Sequence, residues 1–254
     1  MEAGLRSHDI ARPWPEEYNR TSIDAVAEFL FAPTEEAADN LRRESPRPRT
    51  IVVTGNTGID ALLYVAARID ASVLDNLPVS LLDGRRLVLV TGHRRESFGG
   101  GFDRICEGIR RIAARPDVQV IYPVHLNPQV REVVMQKLGG MDNVDLIAPV
   151  DYAQMVALMK RAHVILTDSG GIQEEGPALG KPVLVMRDVT ERPEALATGV
   201  VSLVGTDPEV IEREVRRLLD DAAYYSASAR ASRRSAWIGS GLGQVRPQQP
   251  AGAQ

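Results

Sequence analysis

The stretch His163-Val-Ile-Leu-Thr-Asp168-Ser-Gly-Gly-Ile-Gln-Glu-Glu175 decides the reading of this chain. Four β-branched or aliphatic residues read as a buried parallel strand, and an amphipathic segment follows without a spacer. The two glycines between them permit a tight strand-to-helix turn with close backbone approach. Backbone N–H groups exposed there can bind a phosphate with help from the Ser169 hydroxyl. Glu175 lies about one and a half turns further on, where a carboxylate could take both hydroxyls of a ribose. The same residues also read as an ordinary turn, with Ser169 as an N-cap and Glu174 and Glu175 on a solvated face. Local sequence leaves both open.

Outward from this stretch, the pattern repeats. From about residue 85, β-branched runs (RLVLVTG, VQVIYPV, VDLIAPV, HVILTD, PVLVMRD, VVSLVG) alternate with helix-like segments. These are Phe102 to Ala114, Asn127 to Leu138, Tyr152 to Arg161, Ile172 to Leu179 and Pro208 to Asp220. Val210, Ile211, Val215, Leu218 and Leu219 form one stripe, the spacing of a helix packed on a sheet. The rhythm predicts an α/β fold, a doubly wound parallel sheet with right-handed crossovers, over residues 85–222. Residues 1–56 offer a proline-broken acidic segment (Pro13 to Glu17), a helix-like run from Ser22, and strand candidates at Phe29-Leu30-Phe31 and Thr50 to Val53. Two short strands are too little for an independent domain, so they read as the end of one. Residues 57–84 read as an inter-domain connection with Leu-Pro and Asp-Gly turn signals. Residues 223–254 hold four arginines and no acid, a composition expected to be disordered.

Composition narrows the function classes. The 254 residues are 44% apolar, and 30 basic against 34 acidic side chains give a net charge of −4. That removes the basic field of a nucleic-acid binder. The single cysteine, Cys106, cannot make an internal disulfide or a cysteine-based zinc cluster, which fits a reducing cytoplasm. No apolar run approaches the roughly 18–20 residues that span a bilayer, and the amino terminus lacks the apolar core of a signal peptide, so a soluble, membrane-free protein is expected. None of the four histidines has metal-ligand spacing, so no metal is expected.

Ligands of open parallel sheets lie beyond the carboxyl ends of the strands. Four strands here end in polar clusters: His93-Arg94-Arg95-Glu96-Ser97, His125-Leu126-Asn127-Pro128, Ser169-Gly170-Gly171, and Arg187-Asp188 leading to Glu191-Arg192-Pro193-Glu194. Arg94 and Arg95 supply fixed positive charge for a diphosphate beside His93, which otherwise reads as a core histidine satisfied by a carbonyl. His125 reads equally as a turn residue. Glu2 and Glu16 sit in unusual stretches, and a carboxylate pair is what proton abstraction from carbon needs; composition alone reads them as exposed acids near a terminus.

Taken together, EAGLRS, PWPEEYNRT, TGNTGIDALL, VTGHRRESFGGGF, YPVHLNPQVRE, LTDSGGIQEEGPALGKPVLVMRDVTERPEAL and LVGTD closely resemble the bacterial non-hydrolysing UDP-N-acetylglucosamine 2-epimerases, collinearly over residues 2–222. The resemblance implies a glycosyltransferase-B-like architecture of two Rossmann-like domains with parallel sheets, the active site between them, and a homodimer. It implies interconversion of UDP-GlcNAc and UDP-ManNAc for surface polysaccharide synthesis, by elimination and re-addition of UDP through a 2-acetamidoglucal, with no cofactor. By motif, Glu2, Glu16 and His93 resemble the catalytic groups, with the glutamates moving protons and His93 near the departing diphosphate. Ser169, Gly170, Gly171, Glu175 and Arg192 resemble the substrate-binding set, and Arg94 and His125 residues that in some members hold a second, activating UDP-GlcNAc.

Two departures go with it. Family members carry the first part of the amino-terminal domain before EAGLR, so residues 1–56 are expected to be the carboxy-terminal remnant of that domain. The tail after residue 222 matches no family segment. A UDP-binding fragment without activity and a related glycosyltransferase-B-type UDP-sugar enzyme are the alternative readings.

Overall fold

The computed structural model describes residues 3–45, 49–79, 81, 84–190, 196 and 199–232. Apolar runs too short for helices became parallel strands, and they form two sheets. The small sheet pairs β1 (Phe29–Ala32) with β2 (Thr50–Val53), joined by α2 (Glu35–Glu44). The large sheet has six parallel strands: β3 (Arg86–Thr91), β4 (Val118–Pro123), β5 (Val144–Ile147), β6 (Val164–Thr167), β7 (Val183–Val185) and β8 (Val201–Leu203). Their spatial order is β5-β4-β3-β6-β7-β8. The intervening helices are α4 (Gly101–Ala113), α5 (Pro128–Leu138), α6 (Tyr152–Arg161), α7 (Ile172–Ala178) and α8 (Pro208–Asp220).

Strand alternation divides the core. Leu87 and Leu89 of β3 face one layer with Ile121, Ile165, Val183 and residues of α6. Val88 and Val90 face the other, with Val120, Leu166 and the apolar stripes of α4, α5 and α8. Each aliphatic side chain fully buried this way contributes roughly 1.5–3 kcal/mol. Both faces are covered, which is why these strands read as continuous apolar runs rather than alternating ones.

The amino-terminal segment is tied by charge. Arg6 is 3% exposed and its guanidinium meets Asp24 of α1 (Glu16–Val26) at 2.9 Å and Glu44 of α2 at 2.7 Å. Gly4 donates its N–H to Asp24 (2.9 Å) at φ +82°, and a Cβ there would lie 2.1 Å from the Ala37 carbonyl oxygen, so only glycine fits. Helix α1 begins at Glu16, six residues before the sequence-based expectation. Pro15 occupies the N-cap, and two acids in the first turn complement the helix dipole.

Two further expectations need correction. The segment from residue 57 is more than a connection: it opens with α3 (Thr57–Ala66), which packs on α6 and α7, and Lys160 of α6 donates to the Ala66 carbonyl (2.7 Å). The expected disorder from residue 223 fails as far as residue 232. Helix α9 (Ala222–Ser232) is alanine-rich, and its Tyr225 stacks on His163 at 4.1 Å while Tyr224 sits under Arg217 at 3.8 Å. Helix propensity and two docked aromatics outweigh the lack of acids. Residues 233–254 lie outside the described residues.

Asn56 joins the small sheet to the large one. Its Oδ1 accepts from Gly58 N (2.8 Å), capping α3, while its Nδ2 donates to Glu174 Oε2 on α7 (2.5 Å). Glu174 is 5% exposed. Asn56→Asp keeps the cap and sets a second carboxylate against Glu174, so it is expected to destabilise the chain by about 1–3 kcal/mol in denaturant melts. Adding Glu174→Gln to that variant restores a donor opposite the new carboxylate and should recover most of the loss; no recovery would show that the contact carries no stability.

Candidate active site

The order of the large sheet reverses between β3 and β6, and a doubly wound sheet opens its ligand crevice at the carboxyl ends of such a pair. Here those ends are stitched together. The Thr91 and Thr167 hydroxyls lie 2.6 Å apart, and Asp168 N donates to Thr91 O (3.2 Å). Asp168 is fully buried, and its Oδ2 accepts from both His93 N and Arg94 N at 2.7 Å. Thus β6 shapes the loop that leaves β3.

His93 emerges from that loop with its side chain 44% exposed, so it is not a core histidine. Its ring stacks on His125, from the end of β4, at 5.1 Å and 16°. His125 Nδ1 accepts from Asn127 N (3.1 Å), which fixes the second ring. Arg94 Nη1 donates to Glu16 Oε1 at 2.8 Å. Glu16 Oε2 and Arg94 Nε are buried without hydrogen-bond partners among the described residues. The neighbouring Glu17 turns about 100° away on α1 and is structural, 1% exposed, accepting from Ser7 N (2.9 Å) and His8 N (3.2 Å).

Beyond β6 the chain makes the Ser169 to Gly171 turn, with Ser169 N donating to Thr167 Oγ1 (3.0 Å). Gly171 has φ −65° and ψ −42°, and a Cβ there would meet nothing within 4 Å. Neither backbone nor packing requires glycine at that position. Glu174 and Glu175 do not form a solvated face: Glu174 is buried against Asn56, and Glu175 is half-buried, its Oε1 accepting from the Tyr152 hydroxyl (3.1 Å). Burial raises the Glu175 carboxyl above its ordinary range, against the lowering effect of the Tyr152 hydrogen bond. Burial first, then the Glu175 charge, pushes the Tyr152 phenol up to about 12.

At the end of β7, Arg187 (2% exposed) and Asp188 line a cavity of about 440 Å³ with Arg104, Thr206 and Asp207. Arg104 Nε and Nη2 both donate to Thr206 Oγ1, at 3.1 and 2.9 Å. Of the residues singled out from sequence, His93, His125, Arg94 and Glu16 are brought together, while Ser169 to Gly171 and Glu175 share the neighbouring turn and helix. Glu2 and Arg192 lie outside the described residues. Asp168, Tyr152 and Asn56 escape the sequence reading as site residues; the strand-end position of Asp168 is the one signal available for it. No group of three or more His, Cys, Asp or Glu among the described residues could hold a metal ion, and no described helix is long and apolar enough to cross a membrane.

Comparison with known proteins places the chain in a family. Residues 1–236 match the family model of UDP-N-acetylglucosamine 2-epimerase. A probable UDP-N-acetylglucosamine 2-epimerase of Ralstonia nicotianae is 54% identical over 237 residues, 91% of this chain and 63% of that protein. The chain thus spans less than two thirds of that relative's length. The crystal structure of the UDP-GlcNAc 2-epimerase from Neisseria meningitidis bound to UDP-GlcNAc superposes with a TM-score of 0.85 at 41% identity, covering 92% of this chain and 67% of that one. The glycosyltransferase WaaG, 14% identical with a TM-score of 0.51 over 90% of this chain and 67% of its own, shares the fold alone. The architecture is glycosyltransferase-B-like.

Desolvation of Glu175 has a measurable consequence. A carboxyl whose folded value is raised binds its proton more tightly in the native state, so its contribution to stability falls as pH rises from the ordinary 4.5 through the raised value. Glu175→Gln is therefore expected to be more stable than the parent at pH 7, with the difference vanishing well below pH 4.5, in denaturant melts at both pH values. A gain that persists unchanged in acid would assign it to packing instead.

Proposed function

We propose that this chain, which belongs to the UDP-N-acetylglucosamine 2-epimerase family, binds a uridine diphospho-sugar at the β3–β6 crevice and takes part in interconverting UDP-GlcNAc and UDP-ManNAc. The observation that carries this reading is Gly171: a glycine that the fold does not need, leaving open space above a turn of backbone N–H groups, is what close approach of a diphosphate calls for. Glu175, two-oxygened and costly to bury, is suited to a ribose diol. Residues 85–222 are the UDP-binding domain in this reading, and residues 1–56 belong to the opposing one.

The reaction is an elimination and re-addition. A carboxylate takes the C2 proton, the C2–H electron pair forms the C1=C2 bond of a 2-acetamidoglucal, and the C1–O pair leaves with UDP. Reprotonation of C2 from the other face and return of UDP complete the inversion. We assign the proton transfers to Glu16 and Glu2, and the phosphate oxygens to His93, Ser169, Gly170, Gly171 and Arg192. The free Oε2 of Glu16 supports its role, since Arg94 occupies only the other oxygen. Arg94 and His125 are assigned to a second UDP-GlcNAc. Because Arg94 already holds Glu16, a nucleotide drawing on that guanidinium also changes what a proton-transfer residue feels. No cofactor enters this scheme; a homodimer in the cytoplasm, serving surface polysaccharide synthesis, completes the proposal.

Calorimetric titration with UDP tests the site. Gly171→Ala is expected to change stability by no more than about 0.5 kcal/mol while weakening UDP at least about tenfold. Glu175→Ala should cost on the order of 1.5–3 kcal/mol of binding. Unchanged affinity in both variants would remove the nucleotide from this turn. Formation of UDP-ManNAc from UDP-GlcNAc, or deuterium exchange at C2, reads the chemistry directly.

A further inference from the structure

Asp168 has one carboxylate oxygen committed and one unused. Oδ2 accepts two backbone N–H groups at 2.7 Å, whereas Oδ1 is buried with no hydrogen-bond partner. A buried, unpaired carboxylate oxygen costs free energy that the fold alone does not repay. The nearby Tyr122 hydroxyl does not satisfy it, because it donates to Gly92 O (2.9 Å). The nearest ring nitrogen is His93 Nδ1, 3.7 Å from Oδ1, too far for a hydrogen bond as it stands. That ring is 44% exposed and stacks on His125, itself held through Asn127 N.

We infer that Asp168 is a positioning residue for His93, its free oxygen taking the Nδ1–H of the imidazole when the crevice is occupied. The inference rests on the proposed role of His93 beside the diphosphate. With Nδ1–H held by Asp168, the ring presents Nε2 away from the sheet, and a second proton on Nε2 makes an imidazolium whose charge Asp168 balances. That N–H then donates to the phosphate oxygen that receives the C1–O electron pair; the proton stays on the ring. Catalytic hydrogen bonds that are long in an empty site commonly shorten in the complex. The Arg94 and His93 amides on Oδ2 keep the carboxylate from turning to follow another partner.

Nitrogen-15 NMR of the histidine-labelled 254-residue chain reads the pair without any assay of turnover. At alkaline pH, His93 of the parent is expected to carry its proton on Nδ1. In Asp168→Asn the amide can donate to Nδ1, so the ring should switch to the Nε2–H tautomer. A merely structural Asp168 would leave the tautomer unchanged. If Asp168→Asn fails to fold, the parent spectrum decides alone: Nε2–H as the neutral tautomer overturns the inference. Should UDP not bind while His93 carries Nδ1–H, the nucleotide reading fails and the Asp168–His93 pair is supported.

Discussion

Oδ2 of Asp168, accepting the amides of His93 and Arg94, carries the geometry of the crevice. The two loops it joins come from strands that are neighbours in space and 75 residues apart in sequence. Without an acceptor at that point, two partly buried donors would lose their partner and nothing would fix the direction in which His93 and Arg94 leave β3. From this contact follow the stack of His93 on His125 and the reach of Arg94 to Glu16. One side chain, buried at a strand end, therefore sets the position of groups supplied by α1, β3 and β4.

The same region holds polar atoms that the fold leaves unsatisfied: Asp168 Oδ1, Glu16 Oε2 and Arg94 Nε. The Arg6 cluster differs, because its guanidinium is met by both Asp24 and Glu44 and the group closes on itself. Glu17 Oε2 and Arg49 Nε are also buried without a hydrogen-bond partner, so in the proposed reading it is the gathering of such atoms at the β3–β6 crevice that marks a ligand site. Glu175 lies nearby, and burial there disfavours its charged form. Unpaired and desolvated groups gathered at a switch point are a stability cost, one that the proposed nucleotide would offset.

Much of this is legible in the sequence. The six strands of the large sheet are buried on both faces, so each appears as an uninterrupted aliphatic run, and Tyr152–Arg161 and Pro208–Asp220 carry caps at their starts that mark them sharply. Helix α1 is harder, since two prolines disguise its N-terminus, and α9 is hidden because a compositional argument is blind to docking by Tyr224 and Tyr225. The site is legible as clusters at strand ends. Which member of a cluster matters is not: Glu16 and Glu17 look alike in sequence, and only their places on α1 send one to Arg94 and the other to the amides of Ser7 and His8. Asp168 looks like part of a turn because its partners are set by sheet order rather than by neighbours in the chain.

Two contacts of different character connect the small sheet to the large one. Asn56 to Glu174 is a short, part-buried bond at the junction itself, anchored on one side by the cap of α3 and on the other by the helix that carries Glu175. Glu16 to Arg94 bridges the mouth of the crevice, with Glu16 41% exposed and therefore screened. The weaker contact is the one that the proposed reading places where a nucleotide enters, and both of its residues keep a buried polar atom without a hydrogen-bond partner. In that reading an anion arriving at Arg94 can replace Glu16 without leaving the guanidinium unpaired, whereas Asn56 and Glu174 keep each other as partners. In the proposed reading the mouth can thus rearrange around a nucleotide while the junction keeps its register, and the turn at Ser169 to Gly171 stays fixed relative to the helix behind it.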